Sequence, residues 1–255
     1  VAATAREPEI WRAKNPMQNP LVQQLATRSH LSAEERGILR DLVKSVRHVG
    51  AGKLILAQGT QVSESCLILE GLACQYKAVV RRRRQITALY VPGDFIDLHS
   101  FILGSVDQAV LALTACKVGV VPHQDLRHVT DCYPRLTRLL WFCTLLDAAA
   151  YREWAATLGH LPAQARAAHL FCELFLRLRL LGEVNEGCFA LPLTQSKLAE
   201  ALGVSNVHLN RVLRQLREQN ILVWESNIVR VLDWKQLNEL AHYNPSYLHL
   251  KCNVL

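Results

Sequence analysis

The chain reads as an α+β protein with an N-terminal antiparallel β-roll, one long helix and a C-terminal winged helix-turn-helix. Three observations predict this. Residues 46–121 consist of short strand-like runs mostly punctuated by glycine or proline, the pattern of a sandwich or roll. Pro134 then opens a stretch that meets no further glycine until Gly159, which suits a single long helix. Finally, residues 192–222, PLTQSKLAEALGVSNVHLNRVLRQLREQNIL, fall into two short helical patterns joined by a glycine turn.

Length and composition bound the answer. At 255 residues the chain exceeds one ordinary compact domain, so two are expected, 1–158 and 159–255. Half of the residues are apolar, enough for a substantial core, and the net charge of +7 with pI near 9.1 fits a polyanionic partner. No charge-free apolar run approaches 18 residues and the N-terminus lacks a signal-peptide pattern, so a cytoplasmic protein without a membrane partner is expected. Eight cysteines, at 66, 74, 116, 132, 143, 172, 188 and 252, include no C-x-x-C pair. They are expected to be reduced and mostly buried, behaving as small hydrophobes and holding no metal.

The elements follow in order. Residues 1–20 carry Pro8, Pro16 and Pro20 and read as an arm. Ser32 with Glu35 three residues on forms a capping box that opens a short helix. Strands are expected at 53–57, 66–70, 73–79, 85–90 and 117–121. The helix at 134–158, closed by Gly159, would be about 37 Å long at 1.5 Å per residue. Within it Leu136, Leu139, Cys143, Leu146 and Ala150 alternate in steps of three and four, a seam suited to the same helix of a second copy, or to packing within its own domain. Residues 159–162, GHLP, are the expected hinge. A further helix, 162–181, closed by Gly182, opens the second domain.

The helix-turn-helix carries the chemistry. Thr194 caps the first helix, whose inner face is Leu198, Ala199 and Leu202, and Gly203 supplies the turn. Ser205 caps the second, where Leu209, Val212, Leu213 and Leu216 form one apolar stripe. The opposite face carries Val207, Asn210, Arg211 and Arg214, the mixture of amide, guanidinium and small apolar group that reads base edges in a major groove. A helical hairpin alone would not establish DNA binding. Here it is followed by ILVWESNIVRVLD, two β-branched runs around a Glu-Ser-Asn turn, the hairpin expected of a wing. Thr194, Gln195, Ser196, Ser205 and His208 lie near helix N-termini, where hydroxyls and amides favour phosphate oxygens. Arg214 and Arg217 are expected to contact phosphate, although Arg217 has Glu218 beside it as an alternative partner.

These residues resemble the CRP/FNR family of bacterial transcription regulators over roughly residues 20–235. Glycines 50, 52, 59, 71 and 93 match the spacing of that family's β-roll sensor domain, which resembles a cyclic-nucleotide-binding domain, and 134–158 resembles its dimerisation helix. The resemblance implies a homodimer that reads an inverted repeat with half-sites about one helical turn apart, contacts RNA polymerase, and moves its DNA-binding domains about the hinge in response to an effector. It places Ser205, Leu209 and Arg211 on the family's recognition pattern. Where the family often has a glutamate that accepts from cytosine, this chain has Val207, which can only touch a thymine methyl.

The effector pocket implied by the resemblance centres on Gly93, Asp94, Asp97 and His99. Cyclic-nucleotide members hold the phosphate with a Gly-Glu pair and a downstream arginine-hydroxyl pair. This chain has Gly93-Asp94, but Val106-Asp107 falls where the second pair belongs, and no arginine occurs between 85 and 126, so cAMP control is not expected. No cofactor is predicted. The stretch 93–100, GDFIDLHS, also resembles the carbon-monoxide-sensing haem branch, with His99 at the axial position, which leaves haem as a minor alternative; Asp97 stands where that branch has cysteine. The oxygen-sensing branch carries an N-terminal cysteine cluster for iron-sulfur, and no cysteine precedes Cys66 here. Two other classes make different demands on the sequence. An enzyme of the cupin type needs a His-x-His pair and a carboxylate in the strand region, where no His-x-His occurs, and would leave the helix-turn-helix unexplained; a small-molecule binding module whose basic tail meets a protein partner predicts no salt-dependent DNA affinity. Arginines 81 to 84 read as a solvated hairpin tip, with contact to DNA, polymerase or an anionic effector as the alternative.

Overall fold

The computed structural model describes residues 19–79 and 83–250. Most of the expected arm, Arg81, Arg82 and Cys252 therefore lie outside the described residues. The chain begins with α1 (Pro20–Ala26) and α2 (Ala33–Asp41), and Ser32 and Glu35 do form the reciprocal capping box that starts α2. Seven strands follow: β1 (Ser45–Val49), β2 (Leu54–Leu56), β3 (Glu64–Glu70), β4 (Ala73–Val79), β5 (Arg83–Tyr90), β6 (Ala109–Ala112) and β7 (Cys116–Pro122), with α3 (Ser100–Leu103) between β5 and β6. They make two antiparallel sheets, β1-β7-β3 and β2-β6-β4-β5.

Alternation along these strands separates the apolar layers. Cys66 and Ile68 point into the roll with Val110, Val118 and Ile96, whereas Leu67 between them faces a helical layer with Leu21, Leu39 and Leu126. Side chains two apart share a face of a strand, so a strand covered on both sides reads as an unbroken apolar run rather than an alternating one.

After α4 (His123–Cys132), helix α5 runs from Pro134 to His160. Gly159 does not cap it, as the sequence led us to expect. The helix passes through that glycine and ends at Leu161, in extended conformation immediately before Pro162, because a residue preceding proline is pushed out of the helical region.

The second half contains α6 (Ala163–Leu180), β8 (Cys188–Ala190), α7 (Gln195–Leu202), α8 (Asn206–Glu218), β9 (Leu222–Glu225), β10 (Ile228–Val231), α9 (Trp234–Ala241) and a 3₁₀ turn, Pro245–Leu248. Strands β8, β10 and β9 form its sheet. Ser226 and Asn227 both have positive φ, +49° and +64°, as a two-residue hairpin turn requires, and they form the tip of the wing. Strand β8, α9 and the 3₁₀ turn were not anticipated.

The expected seam on α5 is corrected by burial. Leu136 and Leu139 are fully buried against α1, α2 and α4, while Cys143, Leu146 and Ala150 are partly covered on the same inward side. The outward stripe is Arg138, Trp141, Leu145, Ala148, Arg152 and Ala155, which keeps the three-four spacing but lies two residues on, about 200° around the helix. Trp141 is 65% exposed and Leu145 53%.

Candidate nucleic-acid interface

The helix-turn-helix is held from within. Leu198, Ala199 and Leu202 of α7 and Leu209, Val212 and Leu216 of α8 are buried in a cluster built around Phe171, Leu174 and Leu178 of α6. Thr194 Oγ1 accepts from the Lys197 amide at 3.3 Å and Ser205 Oγ accepts from the His208 amide at 3.2 Å, so both hydroxyls act as helix caps. Each keeps its own proton for an outside acceptor. Gly203 takes a left-handed conformation, φ +64°, which bends α7 into α8.

With that face anchored, the other faces solvent. Thr194, Gln195, Ser196, Ser205, Val207, His208, Asn210, Arg211, Arg214 and Arg217 are all exposed, Val207 at 74%. Arg211 has no ion-pair partner among the described residues. Arg214 Nε lies 3.7 Å from Glu218, and Arg217 reaches Glu225 of the wing at 3.2 Å rather than Glu218. Both pairs are exposed and weak, leaving either guanidinium free to exchange its carboxylate for a phosphate. Asn206 at the start of α8 and Arg230 on β10 are exposed on the same domain and were not singled out from sequence; the cap at Ser205 and the wing pattern were the signals that pointed to them.

The four residues expected to form an effector pocket are not brought together. Gly93, at φ +94°, lets α1 pass so closely that a Cβ there would sit 2.7 Å from Pro20 O and Gln24 Nε2. Asp94 turns out of the roll and pairs with Arg177 of α6. Asp97 turns inward, is fully buried, and accepts from the Cys66 amide at 2.6 Å and the Ser100 hydroxyl at 3.4 Å. Burial, partly offset by those donors, pushes its carboxyl up to about 7. His99 lies 3.3 Å from the exposed Asp107, without hydrogen-bond geometry. Val106 fills the roll interior beside Val110 and Ile96. Asp97, standing where the haem branch has a cysteine, is thus a buried structural acid. Among the described residues no three His, Cys, Asp or Glu side chains converge as a metal site. None of the seven described cysteines is in a disulfide, and burial pushes Cys66, Cys74, Cys143 and Cys172 up to about 12, far from thiolate chemistry.

Asp94 belongs instead to a charged cluster between the two halves. Arg177 Nη1 donates to Glu173 Oε1 at 3.1 Å and to Leu89 O at 2.9 Å. Burial alone would draw the Arg177 guanidinium down, but Asp94, Glu173 and Asp147 outweigh it and hold its affinity for the proton above the ordinary value. Arg28, in the turn after α1, and Asp147 of α5 border the same cavity, about 50 Å³ in volume. Burial, reinforced by Asp94, raises the Asp147 carboxyl well above its usual range. Neither Arg177 nor Glu173 is visible in the sequence as special, because α6 is apolar around most of its circumference.

A β-roll joined by one long helix to a winged helix with an exposed, polar reading face defines a two-domain DNA-binding regulator. Comparisons with known proteins give the same class. Residues 46–132 match the cyclic nucleotide-binding domain and residues 165–240 the Crp-like helix-turn-helix domain. A probable transcriptional activator of Rhizobium leguminosarum bv. viciae is 29% identical over 74% of this chain and 79% of its own. The transcriptional activator protein FnrL of Cereibacter sphaeroides is 25% identical over 86% of this chain and 89% of its own. The structure of FixK2 from Bradyrhizobium japonicum has the same fold, with a TM-score of 0.71 and 23% identity over 78% of this chain and 98% of its own. The chain belongs to the CRP/FNR family of bacterial transcription regulators. Among the described residues no helix is long and apolar enough to cross a membrane.

Proposed function

We propose that the protein is a homodimeric, sequence-specific regulator in the cytoplasm that reads an inverted-repeat operator through α8 and acts by binding rather than catalysis. The observation that carries this is the two-sided build of α8: one face locked into the core by Leu209, Val212 and Leu216, the other presenting Val207, Asn210 and Arg211 to solvent. Val207, Asn210 and Arg211 are the base readers. Thr194, Gln195, Ser196, Ser205, His208, Arg214 and Arg217 hold the phosphates.

Support for the dimer comes from the outward stripe of α5. Trp141 and Leu145 are large apolar side chains left exposed at coiled-coil spacing, and a second copy of α5 would cover them. Control by cAMP is disfavoured by the chemistry of the roll, since Asp94 is already paired with Arg177 and Val106 fills the interior. RNA polymerase is the further protein partner, and any effector is of another class. The test is to select operators from random DNA and measure affinity for the best one at fixed, stated salt. A paired half-site bound at ~10⁻⁸ to 10⁻¹¹ M supports the reading, and only salt-driven binding at ~10⁻⁴ to 10⁻⁶ M without sequence preference would overturn it.

A further inference from the structure

We propose that Asp94 and Arg177 are positioning residues that set the orientation of α8 relative to α5, and through it the half-site spacing the protein accepts. This rests on the paired-operator function above. The two halves do not meet only at the Leu161–Pro162 break. The outward face of β4, β5 and β6, including Cys74, Ile86, Leu89 and Leu111, lies in one continuous core with Phe171 and Leu174 of α6. Apolar contact of this kind holds surfaces together without choosing one angle between them.

The Asp94–Arg177 pair supplies the direction. Both side chains are largely buried, 12% and 14% exposed. Each is fixed from its own side: Asp94 accepts from the Val91 amide at 2.7 Å and from Gln24 Nε2 at 3.1 Å, while Arg177 is held to Glu173 four residues earlier on α6. Two fixed groups can pair in only one relative placement of their domains. A second contact limits rotation about that point: Gln85 of β5 donates to Glu200 O at 2.9 Å and Ala201 O at 3.2 Å, at the end of α7 just before the turn into α8. None of these contacts covers the reading face, which stays exposed with all of them made. They orient the helix rather than block it. Operator spacing is sensitive to such orientation, because each added base pair moves a half-site by about 3.4 Å and rotates it by about 34–36°. Buried ion pairs contribute little net stability against apolar replacements, and a role in selecting one geometry is where such a pair has an effect.

The experiment uses the full-length protein and the selected operator with its spacer lengthened or shortened by one and two base pairs. Affinity at fixed salt, half-site base preference and thermal melting are measured for wild type and Asp94→Asn, whose amide oxygen can still accept from Val91. Wild type should lose about tenfold or more per base pair away from its best spacer, and D94N about threefold or less, with base preference unchanged. If D94N melts below the assay temperature, Arg177→Lys, which keeps the charge but not the fork, takes its place with the same expectation. A wild-type spacer profile in the folded variant overturns the inference alone, as does a parallel loss of base preference. If wild type itself shows no preference for paired half-sites, the proposed function falls and this inference with it.

Discussion

Arg211 stands on the exposed face of α8 with no ion-pair partner among the described residues, a guanidinium free for a partner outside the chain. Replacing it by alanine should relax base preference at one position of each half-site, a loss of roughly 1 to 3 kcal/mol in discrimination, read by binding to single-base operator variants. Unchanged selectivity would reduce Arg211 to a phosphate contact. Val207→Glu makes the complementary test. It puts a hydrogen-bond acceptor where the chain has only a methyl contact, so preference at that base pair should move toward cytosine on the contacted strand. Asp97 carries a prediction of a different kind. Its carboxyl holds its proton up to about pH 7 when folded, but ionises near 3.8 in the unfolded chain. At pH values below that lower limit both forms are protonated and nothing is lost. Between about pH 4 and 7 only the unfolded chain gains by ionising, so stability falls as pH rises, by on the order of 4 kcal/mol at the upper end. Asp97→Asn should therefore gain on wild type in melting temperature as pH is raised through that window; a constant difference would show that Asp97 ionises when folded.

At the scale of the element, α5 shows what periodicity can and cannot tell. Leu136, Leu139, Cys143, Leu146 and Ala150 keep a perfect three-four spacing, and so do Arg138, Trp141, Leu145, Ala148, Arg152 and Ala155. A helix with apolar groups on both sides has two such stripes, and spacing alone does not rank them. Only packing decides, here by seating Leu136 and Leu139 against α1, α2 and α4. The two faces should separate in experiment. Leu139→Ala leaves a cavity in the protomer core and should cost about 2–5 kcal/mol in denaturant unfolding. Trp141→Ala, together with Leu145→Ala, should leave the protomer fold intact and weaken self-association by at least tenfold in sedimentation. A Trp141/Leu145 variant that still dimerises at wild-type concentration would place the interface elsewhere. The helix-turn-helix, by contrast, was legible to the residue. Thr194, Gly203 and Ser205 form their caps and turn through bonds to residues no more than four positions away, so nothing distant was needed to predict them.

For the whole molecule, the two halves share a core instead of touching at a hinge. Glu173 lies at its centre, receiving the Trp154 indole N–H of α5 at 2.9 Å, the Tyr247 hydroxyl at 2.8 Å and Arg177. Tyr247 sits on the 3₁₀ turn after α9, and the same turn packs back on α5, with Phe142 and His249 in edge contact. The end of the described chain therefore braces the junction between long helix and reading domain. Tyr247→Phe removes one of three donors to a buried carboxylate and should cost about 1.5–3 kcal/mol in unfolding free energy. A loss confined to the usual surface range, below ~0.5 kcal/mol, would show that the brace is not made in solution.

The sequence by itself determined what depends on neighbours along the chain: the short strands and their turns, the capping box at Ser32, the long helix, and every cap and apolar position of the helix-turn-helix. Those features follow from backbone preference and from periods of two and 3.6 residues, which a linear pattern records. The tertiary structure alone decided which side of α5 faces out, that Asp94 turns from the roll toward Arg177, and that Gln85 meets the end of α7. These are pairings of residues 83 and more than 100 positions apart, and what selects them is the shape of the shared core and the cost of burying a charge unpaired, neither of which is written in any local stretch of the chain.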